Sequence, residues 1–263
     1  MIAQSDGARI AYEIRGDGDP VVLVHGLAYD RAGWGPFPDR LAERFRVVLI
    51  DNRGVGESDA PDGPYSVPQM AADVIAVMDD AGIERTRLFG VSLGGYIAQE
   101  LTLTHPERVE RLVLCSTAVG GARAVPMPPA TQEAFARFPL MEREAGLRMF
   151  VENSLGARGV RELPELVEEI FRYRLGHAPT AQAWMAQAAA GATYVNDDRV
   201  SAIAVPTLVL QGGADVVVDP ENAAVLGELI EGARVEVVPD RGHLFVWEDP
   251  DVAARIVMEF LSA

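Results

Sequence analysis

The feature that most constrains this chain is a set of short apolar runs: Val21-Val22-Leu23-Val24, Val47-Val48-Leu49-Ile50, Leu88-Phe89-Gly90-Val91 and Leu112-Val113-Leu114-Cys115. Thr207-Leu208-Val209-Leu210 and Val235-Glu236-Val237-Val238 follow much later. Runs that do not alternate with polar residues suit strands buried on both faces, which occur in parallel sheets covered by helices. Apolar residues at helical spacing fill the stretches between them, over 67–81, 93–104, 220–230 and 249–261. Strand alternating with helix predicts the α/β class, a mostly parallel central sheet with helices on both faces. At the start, Asp6-Gly7 supplies the positive φ angles of a tight turn, which predicts an antiparallel hairpin from 2–4 and 9–15.

Between 118 and 200 the strand signal disappears and helices are expected over 131–138, 142–155, 163–175 and 180–190. Pro126, Pro128 and Pro129 open this stretch and Asn196-Asp197-Asp198 closes it, which is boundary chemistry. The domain expectation is therefore a core of 1–117 and 201–263 carrying an inserted helical cap of 118–200. No internal repeat or low-complexity tract interrupts this pattern.

Charge and composition narrow the function. Twenty-three basic against 39 acidic residues give a formal charge of −16, which opposes phosphate backbones and anionic lipid, so neither nucleic acid nor a membrane surface is an expected partner. Every basic residue is arginine. Phosphate-loop NTPases, Schiff-base enzymes and pyridoxal enzymes all need a lysine and are excluded. A single cysteine, Cys115, supports no intrachain disulfide, thiolate zinc site or iron–sulfur cluster. The four histidines, His25, His105, His177 and His243, lack metal-ligand spacing, so no metal and no cofactor is expected. The opening residues lack a basic segment followed by an apolar one, and no run of 18 apolar residues occurs, so a cytoplasmic location is expected.

The chemistry points to Gly90-Val91-Ser92-Leu93-Gly94, which lies where a buried strand ends and a helix begins. That context turns a common pattern into a nucleophile elbow, with glycines flanking a serine on a strained turn. A serine hydroxyl needs a base to take its proton and a carboxylate to orient that base. Asp215, in Gln211-Gly212-Gly213-Ala214-Asp215, follows a strand directly, and His243, in Arg241-Gly242-His243, follows the last strand. Asp219 is the competing carboxylate, but Asp219-Pro220 reads as the cap of the next helix.

With the order Ser92, Asp215, His243, the sequence resembles the α/β-hydrolase family over nearly its whole length, from His25-Gly26 to the terminal histidine. The resemblance implies Ser92 as nucleophile, His243 as general base and acid, and Asp215 as the residue fixing the imidazole. It also implies an oxyanion hole from the backbone amides of Leu93 and Leu27, although His25-Gly26-Leu27-Ala28 lacks the longer glycine run of many lipases. Asp51-Asn52-Arg53-Gly54-Val55-Gly56-Glu57-Ser58 looks like the family's structural D-x-R-G-x-G-x-S turn. His25 is read as orienting its loop, His105 as a helix end, and His177 as a residue of the insertion with a minor prospect of substrate contact. Trp34, Phe135, Phe138, Met141, Phe150, Phe171, Trp184 and Met185 are candidates for a cavity between cap and core, mostly as packing. The expected pocket wall is Leu27, Trp34 and Leu93 with part of the cap set, Trp184 included. It suits a small-molecule substrate, mainly apolar or weakly polar.

The expected function is a cofactor-independent serine hydrolase acting on a small ester or lactone through an acyl-enzyme. Among relatives the chain looks most like β-ketoadipate enol-lactone hydrolases and similar carboxylesterases. The same three side chains also serve perhydrolysis, carbon–carbon cleavage and thioester hydrolysis. Dehalogenases and epoxide hydrolases of this type carry aspartate where this chain has Ser92. A non-hydrolytic ligand-binding or cyclase role would not need all three side chains.

Overall fold

The computed structural model describes residues 1–263, the side chain of Pro139 excepted. Strands β1 (Ile2–Ser5) and β2 (Ala8–Arg15) form the hairpin, turning through Asp6 and Gly7, both at positive φ. Then come β3 (Pro20–Val24), α1 (Phe37–Ala42), β4 (Arg46–Ile50), α2 (Val67–Asp80), β5 (Thr86–Val91), α3 (Leu93–Thr104) and β6 (Val109–Cys115). After an inserted helical stretch follow β7 (Thr207–Gly212), α8 (Glu221–Leu229), β8 (Arg234–Val238), α9 (Phe245–Glu248) and α10 (Pro250–Leu261). The sheet order is β1-β2-β4-β3-β5-β6-β7-β8, antiparallel through β2 and parallel from β4 to β8.

Period-two geometry sorts the apolar runs onto the two faces. Val22, Val24, Val48, Ile50, Leu88, Leu112 and Leu114 face α2, α3 and α8. Their neighbours Val21, Leu23, Val47, Leu49, Phe89 and Val113 face α1 and α10. Both faces are thus buried, which is why these runs show no alternation. Strand β8 departs from the expectation of burial: it pairs only with β7, and as the edge strand it leaves Val235 and Val237 41% and 45% exposed.

Between β6 and β7 lie four helices, α4 (Pro129–Arg137), α5 (Arg143–Glu162), α6 (Pro164–His177) and α7 (Ala181–Thr193). Helix α5 runs seven residues beyond the expected 155 and is broken at Gly156, whose φ of 66° and ψ of 179° are not helical. That break faces Ala214 O, while the neighbouring Ser154 carbonyl accepts from the Leu244 amide at 3.2 Å. The insertion therefore packs on the loops that follow β7 and β8.

The 51–58 turn is a scaffold. Asp51 is buried and accepts from the Arg31 amide at 2.7 Å and the Glu57 amide at 2.9 Å, and Ser58 Oγ donates to Asp51 O at 2.6 Å. Fully buried Arg53 presents Nε and Nη2 to the two oxygens of Asp73 on α2, at 2.6 Å each. Removing one member of a buried pair strands the other charge. Asp73→Ala is expected to lower the unfolding free energy by about 3–5 kcal/mol, and Arg53→Met with Asp73→Leu to recover most of that loss, both read from urea unfolding.

Candidate active site

Ser92 joins β5 to α3 with φ 55° and ψ −119°, a backbone conformation that side chains resist. Such a residue costs on the order of 1–3 kcal/mol and persists only where its surroundings fix it. Three hydrogen bonds do so here. Its amide donates to Cys115 O at 3.0 Å, and its carbonyl accepts from the Gly95 amide and from Thr117 Oγ1, each at 2.8 Å. The glycines are forced by contact: a Cβ on Gly90 would lie 2.2 Å from Gly94 O, and one on Gly94 would lie 2.0 Å from Val24 O.

His243, in the loop after β8, places Nδ1 2.7 Å from Asp215 Oδ2. Asp215, in the loop after β7, is buried and held by four contacts. Its Oδ1 accepts from the amides of Val217 and Val218 at 2.8 and 2.9 Å, and Oδ2 accepts also from Gln211 Nε2 at 2.9 Å. The competing carboxylate, Asp219, instead accepts from the Glu221 amide at 3.0 Å, at the start of α8. Ser92 and His243 line one cavity of about 430 Å³, between the sheet's carboxyl edge and the inserted helices.

Leu27 and Leu93 line the same cavity. Among the described residues neither of their amides donates to any acceptor, leaving two N–H groups beside Ser92. The next residue, Ala28, sits at φ 65° and is gripped by the insertion on both its polar groups. Its amide donates to Gln187 Oε1 at 2.8 Å, and its carbonyl accepts from Arg174 Nη1. Gln187 Nε2 then donates to Arg53 O at 2.7 Å, tying α7 to the 51–58 turn.

The other expected positions separate. Trp184 lines the cavity with Phe135 and Phe150, whereas Phe138 packs behind them, 5.4 Å from Trp184 and 4.5 Å from Phe150 between ring centroids. Phe171 lies in a buried cluster with Leu147 and Val151, Met185 is exposed, and Met141 does not reach the cavity. Trp34 is a correction: it is fully buried in the core against Phe37, Phe89 and His25 and lines no part of the cavity. The 3₁₀ turn Arg31–Trp34 folds its indole under the sheet, where burial of a large ring outweighs access to ligand. His177 lies outside the cavity, with Nδ1 2.7 Å from Asp30 Oδ2, and His105 is half-buried at the end of α3.

Sequence reading missed Tyr29, Arg174, Gln187, Val217, Val218 and Leu244 in the cavity wall. For two of them a signal existed. Arg174 continues the apolar positions Val167, Ile170 and Phe171 at i, i+3, i+4, i+7, and Gln187 falls among Ala183, Ala186 and Ala190. A polar residue in the buried phase of a helix faces inward.

Two buried groups beside the site titrate away from their ordinary values. His25 is fully buried; burial pushes its pKa down to about 3, so the ring is neutral. Its Nδ1 accepts from the Gly26 amide at 2.7 Å, which leaves the Nε2 proton to donate to Gly33 O at 2.9 Å. Glu248 accepts from the Gly242 amide at 2.9 Å, next to His243, and burial raises its carboxyl to about 7. Among the described residues no cluster of three or more His, Cys, Asp or Glu is arranged to hold a metal ion, and no helix is long and apolar enough to cross a membrane.

Comparison with known proteins agrees with this geometry. The sequence profile of the alpha/beta hydrolase fold matches residues 19–250. A protein of Azorhizobium caulinodans, provisionally named a carbamate hydrolase, is 31% identical over 259 residues, covering 98% of this chain and 97% of that one. The crystal structure of the enol-lactonase from Burkholderia xenovorans is 26% identical and superposes over 100% of both chains with a TM-score of 0.88. A thermophilic esterase from Thermogutta terrifontis is 28% identical with a TM-score of 0.84, over 100% of this chain and 97% of that one.

The two titrations act on stability with opposite signs. Below an unfolded histidine's pKa of about 6.5 the unfolded chain takes a proton that folded His25 refuses, so this group makes stability rise with pH between about 3 and 6.5. Glu248 binds its proton more tightly when folded, so its contribution is lost as pH rises between about 4.5 and 7. His25→Gln is expected to flatten the acid limb by up to about 1.4 kcal/mol per pH unit, and Glu248→Gln to remove the opposing slope. Urea unfolding from pH 4 to 8 checks both; slopes unchanged from wild type contradict them.

Proposed function

The chain belongs to the alpha/beta hydrolase fold family and, with it, to the hydrolases of ester-type bonds; on that premise we propose a cofactor-independent serine hydrolase that opens a small ester or lactone through an acyl-enzyme. The observation that carries this reading is the convergence on one cavity of a strained serine, a carboxylate-held histidine and two unpartnered amides. The segment 118–200 acts as the cap over that cavity.

In this reading Ser92 Oγ attacks the substrate carbonyl while His243 Nε2 takes its proton, and Asp215 holds the Nδ1 proton and stabilises the imidazolium. The Leu27 and Leu93 amides donate to the oxygen that becomes negative in the tetrahedral intermediate, the step at which preorganised donors contribute most. On collapse His243 returns the proton to the departing alkoxide. From an ester the alcohol leaves; from a lactone the ring opens and the new hydroxyl stays on the acyl chain. Water, deprotonated by the same histidine, then attacks the acyl-enzyme and frees the acid and Ser92.

The enol-lactonase and esterase relatives support an ester or lactone substrate. The cavity volume and its wall of Leu27, Leu93, Phe135, Phe150, Trp184 and Val218 suit a small, mainly apolar body.

Hydrolysis of p-nitrophenyl butyrate tests the assignment. Ser92→Ala, which keeps the Cβ and therefore the backbone strain, is expected to abolish turnover with an unfolding midpoint close to wild type. Asp215→Asn is expected to lower kcat by about 10⁴ through the wrong imidazole tautomer, and Asp219→Asn to leave it near wild type. Turnover retained by Ser92→Ala overturns the reading.

A further inference from the structure

Glu248 is a buried acid that the acyl-transfer steps leave unused. It is the last residue of α9, and its side chain is 0% exposed. One oxygen, Oε1, accepts from the Gly242 amide at 2.9 Å. The other, Oε2, is buried without a hydrogen-bond partner, and Arg158 Nη1 of α5 stands 3.8 Å from it. Burial raises this carboxyl to about 7 against the pull of the Gly242 amide, Arg241 and Arg158, with Asp249 adding to the rise. A carboxyl kept at such a cost is more characteristic of a working site than of a scaffold.

Its position shows what it can do. The loop carrying His243 is tied down on both sides of the imidazole. Before it, Arg241 O accepts from the Ala214 amide at 2.8 Å, next to Asp215, and the Arg241 guanidinium reaches Asp249 Oδ2 at 2.7 Å. After it, the Leu244 amide donates to Ser154 O at 3.2 Å. Between these ties the Gly242 amide goes to Glu248, so this is the side-chain tie that adjoins His243. Gly242 is buried against α5, where a Cβ would lie 2.6 Å from Ser154 O and 2.7 Å from Leu155 O. A buried amide without an acceptor costs about 1–3 kcal/mol, which a loop relieves by turning the peptide. Turning this peptide moves His243, whose Nδ1 stands 2.7 Å from Asp215 Oδ2.

A counter-charge role for Glu248 fits the distances poorly. Arg158 Nη1 is beyond hydrogen-bond reach of Oε2, while its Nε pairs with Glu162 Oε2 at 3.0 Å, and Arg241 pairs with Asp249. What the side chain supplies to the loop is an acceptor of the right length. A protonated carboxyl keeps a carbonyl oxygen for that purpose, so the tie to Gly242 does not require the charge.

We propose that Glu248 is a positioning residue for the reaction: by holding the Gly242 amide it sets the imidazole of His243 against Asp215 and Ser92. This inference rests on the reading of Ser92 and His243 as nucleophile and base. Displacing a reacting group by about 1 Å costs about 100-fold in rate, so a relaxed loop is visible in turnover.

Two substitutions separate reach from charge. Glu248→Asp keeps the charge on a side chain one methylene shorter, which withdraws the acceptor from Gly242. Glu248→Gln keeps the acceptor at its length and removes the charge. With p-nitrophenyl butyrate, Glu248→Asp is expected to lower kcat by about 10- to 100-fold with KM within about two-fold of the parent, and Glu248→Gln to recover kcat to within about three-fold. Proton NMR gives a second readout in the absence of substrate. The His243 Nδ1 proton, deshielded by its bond to Asp215, is expected in the parent and in Glu248→Gln and is expected to be lost from Glu248→Asp. Glu248→Met, which also lacks an acceptor, takes the place of Glu248→Asp if that chain does not fold, with the same expectation. The parent's kcat and Nδ1 signal in Glu248→Asp or Glu248→Met overturn the proposal. So does an equal loss in Glu248→Gln, or the reverse order, which marks a counter-charge. The two readings fail separately. An inactive Ser92→Ala beside an unimpaired Glu248→Asp overturns this inference alone, whereas a parent that cleaves no ester overturns the ester reading and leaves the Nδ1 signal to decide on Glu248.

Discussion

The conformation of Ser92 is the constraint on which the rest of the site depends. A φ of 55° on a residue with a side chain is held only because strand β6 offers Cys115 O to its amide while Thr117 and Gly95 take up its carbonyl. To admit that turn, α3 must approach the sheet closely enough that Gly90 and Gly94 have no room for a Cβ. The parallel sheet supplies the rigid frame, and its carboxyl edge is where the loops bearing Leu27, Asp215 and His243 emerge. The strain is local, and its support comes from β6, the residues just after it and the first turn of α3.

A second dependence runs from the inserted helices to the core. Ala28, also at positive φ, is held by Gln187 through its amide and by Arg174 through its carbonyl. Both partners sit on the inserted helices, so the loop carrying the Leu27 amide takes its shape partly from them. Gln187 continues to Arg53 O, and Arg53 is locked by Asp73 on α2. The 51–58 turn, which has no group in the cavity apart from this chain of contacts, thus supports the site from behind.

Much of this was legible in the sequence for identifiable reasons. The buried runs and their helical intervals predicted the sheet, the hairpin and the helices because burial on two faces and on one face leave different periodicities. The placement of Ser92, Asp215 and His243 at the sheet's carboxyl edge was legible because each lies in the turn or loop after a strand. Trp34 is illegible because an indole in a connecting loop looks the same in sequence whether it faces a ligand or the core; only the turn through Gly33 and Gly35 decides it. Arg174 and Gln187 were passed over because polar side chains on a helix are read as solvated, although their phase with Val167, Ile170, Ala183 and Ala190 marks the buried face. Strand β8 reads as buried because its run is mostly apolar, yet only its place at the end of the sheet order decides exposure.

The central claim is that Ser92 forms a covalent bond to the substrate's acyl group. Its most direct test is reaction with a fluorophosphonate, followed by intact mass and peptide mapping. The account predicts a single phosphonyl adduct on the peptide carrying Ser92, with loss of esterase activity in proportion to labelling. Ester hydrolysis that persists with Ser92 unmodified, or an adduct on another residue that tracks the loss of activity, would contradict it.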